Sequence, residues 1–406
     1  MPGRWCLAVG VLVGALASRA FAGENLDTER QIGELRVDER RPAAADQGDR
    51  IAALPLFTYS PDEGVAGGAK FIDRDLTPAH LTLDLLGLYA ENKTQEFALT
   101  LAMPRLGSDR WLGLLEASYY SDPTKEFFGL GNDNTGSREL STHEIQSVNA
   151  LLTVGFRLSP SWTVAASGGV SHNAILRGRL ESGRPSTREL FPELAGIHGG
   201  YTDPVSLSLV FDDRNDLTRP TNGENLVAKI QHVDPLLGGS SRYTRFVLDG
   251  SILRPVLSPR NVLGLRLAGE YIEGSTRDIP FYELAPLGSA TDLRGFFLDR
   301  FLGRGRVFAN VEVRRELFDF AVHDWWQARL DGVLFGDAGR VFFGGSEVEK
   351  AFGESSATRA RLADTIRVSY GTGLRIALDD ALVLRLDVGF SAEETALVYF
   401  DFGQTF

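Results

Sequence analysis

Leu382-Val383-Leu384-Arg385-Leu386-Asp387-Val388-Gly389-Phe390 alternates two kinds of residue. In an extended chain Leu382, Leu384, Leu386, Val388 and Phe390 fall on one side, and Val383, Arg385, Asp387 and Gly389 on the other. That period of two marks a β-strand with one apolar and one polar face. The pattern recurs upstream. Val205, Leu207, Leu209 and Phe211 alternate with Ser206, Ser208, Val210 and Asp212, while Leu263, Leu265, Leu267 and Tyr271 oppose Arg266 and Glu270. Sixteen such segments follow one another from 52–59 to 396–405, with no helical periodicity between them. They include 79–91, 111–121, 197–212, 306–318 and 326–337. Residues 52–406 divide into about 22 per strand and connection, the spacing of long, tilted antiparallel strands that cross a membrane with ~9–11 residues each.

The connections sort by parity. Those after even-numbered segments are short or modest, as in Leu106-Gly107-Ser108-Asp109, Ser159-Pro160-Ser161, Ser258-Pro259 and Asp379-Asp380. Those after odd-numbered segments include every long one, 122–141, 176–196, 274–305 and 338–365. A barrel with both termini on the periplasmic side has tight turns at that end and long loops outside. A secreted β-sandwich, propeller or soluble barrel shares the alternating strands but has no reason for the parity. The expected fold is therefore all-β, a sixteen-stranded antiparallel transmembrane β-barrel over 52–406. Its apolar face meets lipid and its charged face lines the lumen.

Bulk properties agree. The 406 residues carry 54 acidic and 42 basic side chains, a net charge of −12 that disfavours a nucleic-acid binder. The 44 glycines would weaken helices. No stretch beyond residue 22 gives the roughly 20 apolar residues of a membrane helix. At the N-terminus, Arg4, the apolar run Leu7–Ala17 and Ala20-Phe21-Ala22 make residues 1–22 an export signal. The single cysteine, Cys6, leaves with it, so disulfides, thiolate metal sites and cysteine nucleophiles are excluded from the mature chain. Residues 23–51, rich in charge and without aromatics, read as a disordered periplasmic linker.

Four further segments resemble the outer-membrane assembly and secretion superfamily, also called the bacterial surface antigen family. Its members include the barrel subunit of the barrel-assembly machinery and the two-partner secretion transporters. Phe211-Asp212-Asp213-Arg214-Asn215-Asp216 with Pro220-Thr221-Asn222-Gly223 is similar to its strand-end and turn motif. Leu293-Arg294-Gly295-Phe296, in the longest connection, resembles its Val-Arg-Gly-Phe/Tyr motif. Asn310-Val311-Glu312-Val313-Arg314 and Phe335-Gly336-Asp337-Ala338-Gly339 resemble its Asn-x-Glu-x-Arg and Phe-x-Asp-x-Gly. The last strand, with Val398, Phe400, Phe402 and the final Phe406, resembles the C-terminal assembly signal of outer-membrane barrels.

The resemblance implies that the Arg-Gly-Phe loop folds back into the lumen, with Arg294 on Asp337, Glu312 close by, and Gly295 permitting close backbone approach. It implies insertion or translocation of protein, or lipid, at the bacterial outer membrane. The implied partners are membrane lipid, the barrel-assembly machinery during biogenesis and a separate periplasmic protein, with no cofactor. Residues 23–51 leave no room for the polypeptide-transport-associated (POTRA) repeats that protein-moving relatives carry. A passive porin-like channel and a structural surface antigen remain the alternatives. Enzyme readings find little support: the six histidines have no metal-ligand spacing, there is no Gly-x-Ser-x-Gly elbow, and Ser171 and His172 point to opposite faces of one strand.

Overall fold

The computed structural model describes residues 31, 51–74, 76, 81–132, 141–178, 184–216, 218–275, 277–323, 326–342, 366–378 and 382–405. The expected export signal, nearly all of the linker, most of connection 343–366 and Phe406 lie outside the described residues. No helix among those described is long and apolar enough to cross a membrane.

Sixteen strands close into an antiparallel barrel. They are β1 (Ile51–Ser60), β2 (Gly64–Asp73), β3 (Thr82–Ala90), β4 (Gln95–Met103), β5 (Trp111–Phe127), β6 (Ser141–Arg157), β7 (Trp162–Leu176) and β8 (Pro204–Asp212). Then follow β9 (Gly223–Val233), β10 (Tyr243–Val256), β11 (Ser258–Gly274), β12 (Gly305–His323), β13 (Trp326–Phe342), β14 (Arg367–Leu378), β15 (Leu382–Ser391) and β16 (Leu397–Phe402). Each pairs with its neighbours in sequence, and β16 returns to β1. Gly200–Tyr201 also lies along β7 as a broken extension of β8. The break falls before Pro204, which has no N–H to give the ladder.

The faces follow the alternation. Leu207, Leu248, Leu267, Leu334 and Tyr370 are more than half exposed on the outer surface, whereas Ser208, Asp249, Arg266, Asp337 and Ser369 are buried inside. Because neighbouring strands pair around the sheet everywhere but along most of the seam between β1 and β16, such a surface can sit in hydrocarbon.

Several strands differ in length from the sequence reading. β5 runs to Phe127 instead of stopping at 121, because a register shift between Asp122 and Lys125 absorbs Pro123 as a bulge. β12 and β13 extend to His323 and Phe342, with a similar shift between Glu316 and Phe318. β16 ends at Phe402, not 405. Gly403 adopts φ +83°, a left-handed conformation that ends the extended strand.

At the long-loop mouth the upper ends of β5, β6, β7, β10 and β11 meet residues 184–203 and 277–304 of the long connections. Phe127, Ile145, Ile175, Leu194, Ile197, Tyr243, Ile272 and Phe281 make an apolar core there. Phe127 packs edge-on to Phe191 and Phe281, with ring centroids 5.5 and 5.6 Å away. The seam is the weak part of the wall. β1 and β2 pair along their whole length, from Ile51 opposite Asp73 to Ser60 opposite Gly64. Between β1 and β16 only Tyr59 opposite Phe400 is in register among the described residues.

Candidate functional site: a loop locked inside the barrel

Connection 275–304 turns inward. Ala285–Leu287 pairs with Phe301–Gly303 as a short hairpin in the lumen, and residues 288–300 form its tip. Leu287, Leu293, Phe296 and Phe301 pack on Ala268, Phe308 and Val341 of β11, β12 and β13. The Asp292 carboxylate braces the tip by accepting hydrogen bonds from Gly288 N (3.1 Å), Ser289 Oγ (2.9 Å) and Leu293 N (2.5 Å). The tip also crosses the lumen. Leu298 N donates to Asp62 in the β1–β2 turn at 2.9 Å, and Asp299 pairs with Lys125 of β5 at 2.6 Å. Arg300 pairs with Glu393 beyond β15 at 2.8 Å.

Arg294 lies at the centre, with none of its side chain exposed. Its Nε and Nη2 each donate to Asp337 at 2.8 Å, a bidentate pair, and its backbone N donates to the same carboxylate at 3.2 Å. Nη1 donates to Glu312 at 2.5 Å, and the guanidinium sits 3.5 Å from the centre of the Phe335 ring. Burial alone would lower its pKa. The Asp337 charge, followed by Glu312, outweighs burial and raises it, so the loop carries a fixed cation.

Local strand geometry explains why these residues meet. Asn310, Glu312 and Arg314 alternate along β12, so all three face the lumen, as do Phe335, Asp337 and Gly339 on β13. The register sets Asn310 opposite Asp337. Asn310 Nδ2 donates to Asp337 at 2.8 Å and to the Asp292 carbonyl at 2.6 Å, tying wall to loop. Arg314 Nε donates to the other Glu312 oxygen at 2.9 Å. Two glycines set the loop-to-wall distance. Gly295 adopts φ +90°, and a Cβ at Gly389 would lie 2.6 Å from Gly295 N, so the loop backbone rests directly on β15. Tyr399 Oη accepts from Gly295 N and donates to the Phe296 carbonyl, both at 3.1 Å.

The structure thus brings Leu293, Arg294, Gly295, Phe296, Asp337 and Glu312 together. It adds residues that the motifs did not single out. Arg375 of β14 donates to Asp387 of β15 at 2.6 and 3.1 Å, and Asp387 lies 3.5 Å from Arg294. Arg385 pairs with Asp401 at 3.0 Å. Four arginines (Arg294, Arg314, Arg375, Arg385) therefore meet four carboxylates (Glu312, Asp337, Asp387, Asp401), so the cluster is neutral as a whole. Such matching is what buried charge requires. Only the strand alternation hinted at these additions, since it put Arg385 and Asp387 on the polar face.

The C-terminal segment belongs to the same cluster. Beyond Gly403 the chain turns inside, and Thr405 Oγ1 accepts from Arg294, Arg375 and Arg385 at 3.4 Å each. Val398 and Phe400 face outward beside the seam. Phe402 is buried against Leu56 and Leu86, so the expected assembly-signal residues do not present one common surface. Phe406 lies outside the described residues. Among those described, no group of three or more His, Cys, Asp or Glu is placed to hold a metal ion.

A sixteen-stranded barrel with an outward apolar band, filled by its own Arg-Gly-Phe loop, defines an outer-membrane protein of the loop-plugged class. The Omp85 superfamily domain matches residues 82–406, and the chain belongs to that superfamily. Among solved structures it is similar to BamA from Haemophilus ducreyi lacking POTRA domains 1–3. The TM-score is 0.61 at 15% identity, over 87% of this chain and 70% of that one. CdiB from Escherichia coli gives 0.57 at 14% identity over 93% and 70% of the two chains. CdiB from Acinetobacter baumannii gives 0.51 at 12%, over 87% and 60%. A sequence comparison with the curated proteins gives no match.

Proposed function

We propose that this protein inserts protein into the outer membrane or moves it across, working through its barrel and not as an open pore. One observation carries the reading. The lumen is filled by a charge-locked loop and the C-terminal segment, while the wall is least paired between β1 and β16. A passive channel is built the other way, with a complete wall around an open path. Here, among the described residues, the strand edges at the seam pair only at Tyr59 and Phe400, and edges are where another chain adds by backbone hydrogen bonding. The family membership and the BamA and CdiB likenesses support the reading.

Within it, residues 1–22 direct export, 23–50 form a periplasmic linker, one residue shorter than the sequence reading, and the barrel starts with β1 at Ile51. Arg294, Asp337 and Glu312 lock the plug, and Val398, Phe400, Phe402 and Phe406 mark the chain for the assembly machinery. A separate periplasmic protein delivers the passenger. Reconstitution into liposomes tests this. Faster folding of an added client barrel, with little steady conductance, is the expected result. Steady solute conductance without any effect on the client would favour the porin-like alternative and overturn the reading.

A further inference from the structure

The tight turns at the periplasmic mouth are not alike. Residues 105–110 and 158–160 are exposed, and Leu257, in the β10–β11 turn, is wholly so. The β8–β9 turn, described at 213–216 and 218–222, instead buries Thr218 and Pro220 near its tip. Its conformation is set internally. Asn215 Oδ1 accepts from Thr221 N and Asn222 N at 3.0 Å each, and Asp216 Oδ1 accepts from Thr218 N and Arg219 N at 2.8 Å each. At its base Gly223 adopts φ +126°, where a Cβ would lie 2.4 Å from the Arg214 Cα. The turn is a preformed unit on a narrow base.

What holds this unit in place is distant in sequence. Arg219 Nε and Nη2 each donate to Asp331 of β13 at 2.8 Å, and Nη2 donates to Glu316 of β12 at 2.9 Å. From β9 to β12 is three strand steps, about 14 Å at the usual interstrand spacing, so the turn reaches away from its own strands to the far side of that sector of the mouth. From the other side Gln404 Nε2 donates to the Thr218 carbonyl at 3.4 Å. Gln404 precedes Thr405, which sits in the Arg294 cluster.

We propose that the β8–β9 turn is a gate over the periplasmic mouth, latched by Arg219 on Asp331 and Glu316. This rests on the reading that a polypeptide enters from the periplasm. Release of the latch bares two carboxylates at the entrance, Asp331 and Glu316, of which Glu316 also lies 3.6 Å from the exposed Arg260. An arriving segment that supplies cationic side chains replaces Arg219 there and holds the gate open.

The test is accessibility of the tip. Thr218→Cys is placed in a Cys6→Ser background and exposed to a membrane-impermeant maleimide on the folded barrel in micelles. With the latch intact, labelling is slow. Adding Arg219→Gln removes the bidentate charged hydrogen bonds and raises the rate roughly tenfold. The charge-reversed pair Arg219→Glu with Asp331→Arg restores protection. Heat-modifiable migration confirms that each variant remains a folded barrel. Unchanged labelling in Arg219→Gln overturns the gate. So does faster labelling accompanied by loss of the folded barrel, because Arg219 is then a staple of the wall. The readout uses no client, so failure to assist client folding would sink the proposed function and leave the gate standing.

Discussion

Replacing Arg294 by Ala gives the sharpest perturbation of the plug. The substitution removes the bidentate pair with Asp337, the bond to Glu312 and the stacking on Phe335. Both carboxylates stay fully buried. Glu312 keeps Arg314 at 2.9 Å and Arg375 at 3.6 Å, whereas Asp337 keeps, among the described residues, only the neutral Asn310 amide and the loop's own backbone N–H as hydrogen-bond donors. Breaking a buried ion pair by removing one partner costs about 3–5 kcal/mol. Every 1.36 kcal/mol is tenfold, so the loop-docked state should lose a factor of ~10²–10⁴ relative to the released one. The barrel itself is held by its strand ladders and should stay closed. Limited trypsin digestion reads this directly, because Arg300 and Arg304 flank the end of the hairpin and are reached only when it leaves the wall. The double variant Arg294→Ala with Asp337→Ala should recover part of the loss, since it removes the stranded carboxylate. If Arg294→Ala stays as resistant to trypsin as the parent, and the double variant does not differ from it, the lock is not what holds the loop.

Other outcomes follow from the same contacts. Tyr399→Phe deletes a hydroxyl that bonds Gly295 N and the Phe296 carbonyl, so it should loosen the loop by about 1 kcal/mol, seen as severalfold faster amide exchange at Gly295. Gly389→Val sets a branched side chain where even a Cβ meets Gly295 N at 2.6 Å. It should expel the loop as Arg294→Ala does, with equal trypsin cleavage in both variants. Thr405→Lys puts a cation against three arginines and should free the C-terminal segment, measured by faster carboxypeptidase trimming with the loop still resistant to trypsin. Unchanged trimming would argue against the tail's place in the cluster.

The barrel was legible because a strand's two faces are written at alternate positions. Leu382–Phe390 carries the lipid face and the lumenal charges in one short segment, and loop parity orders the strands. Asn310, Glu312 and Arg314 could be read as one face for the same reason. Their meeting with Arg294 came from family resemblance, since no local rule joins a loop residue to strands on its far side. Arg375, Asp387 and Thr405 escaped notice because their contacts depend on the register of β14 against β15 and on the inward turn at Gly403. Arg219 is the extreme case. Its turn was recognised, but its partner Asp331 lies 112 residues away and is placed only by closure of the barrel. The alternation stops at 121, yet a bulge between Asp122 and Lys125 carries β5 on to Phe127.

The central claim is that the barrel acts through its seam, and a reversible bolt across that seam tests it most directly. Tyr59 and Phe400 are opposed across β1 and β16. Directly opposed antiparallel residues have Cα atoms about 4.5–5.5 Å apart, within the range a disulfide accepts. In liposomes, Tyr59→Cys with Phe400→Cys should assist client-barrel folding when reduced, lose that assistance when oxidised, and regain it on adding reductant. Equal assistance in the oxidised and reduced states would contradict the claim.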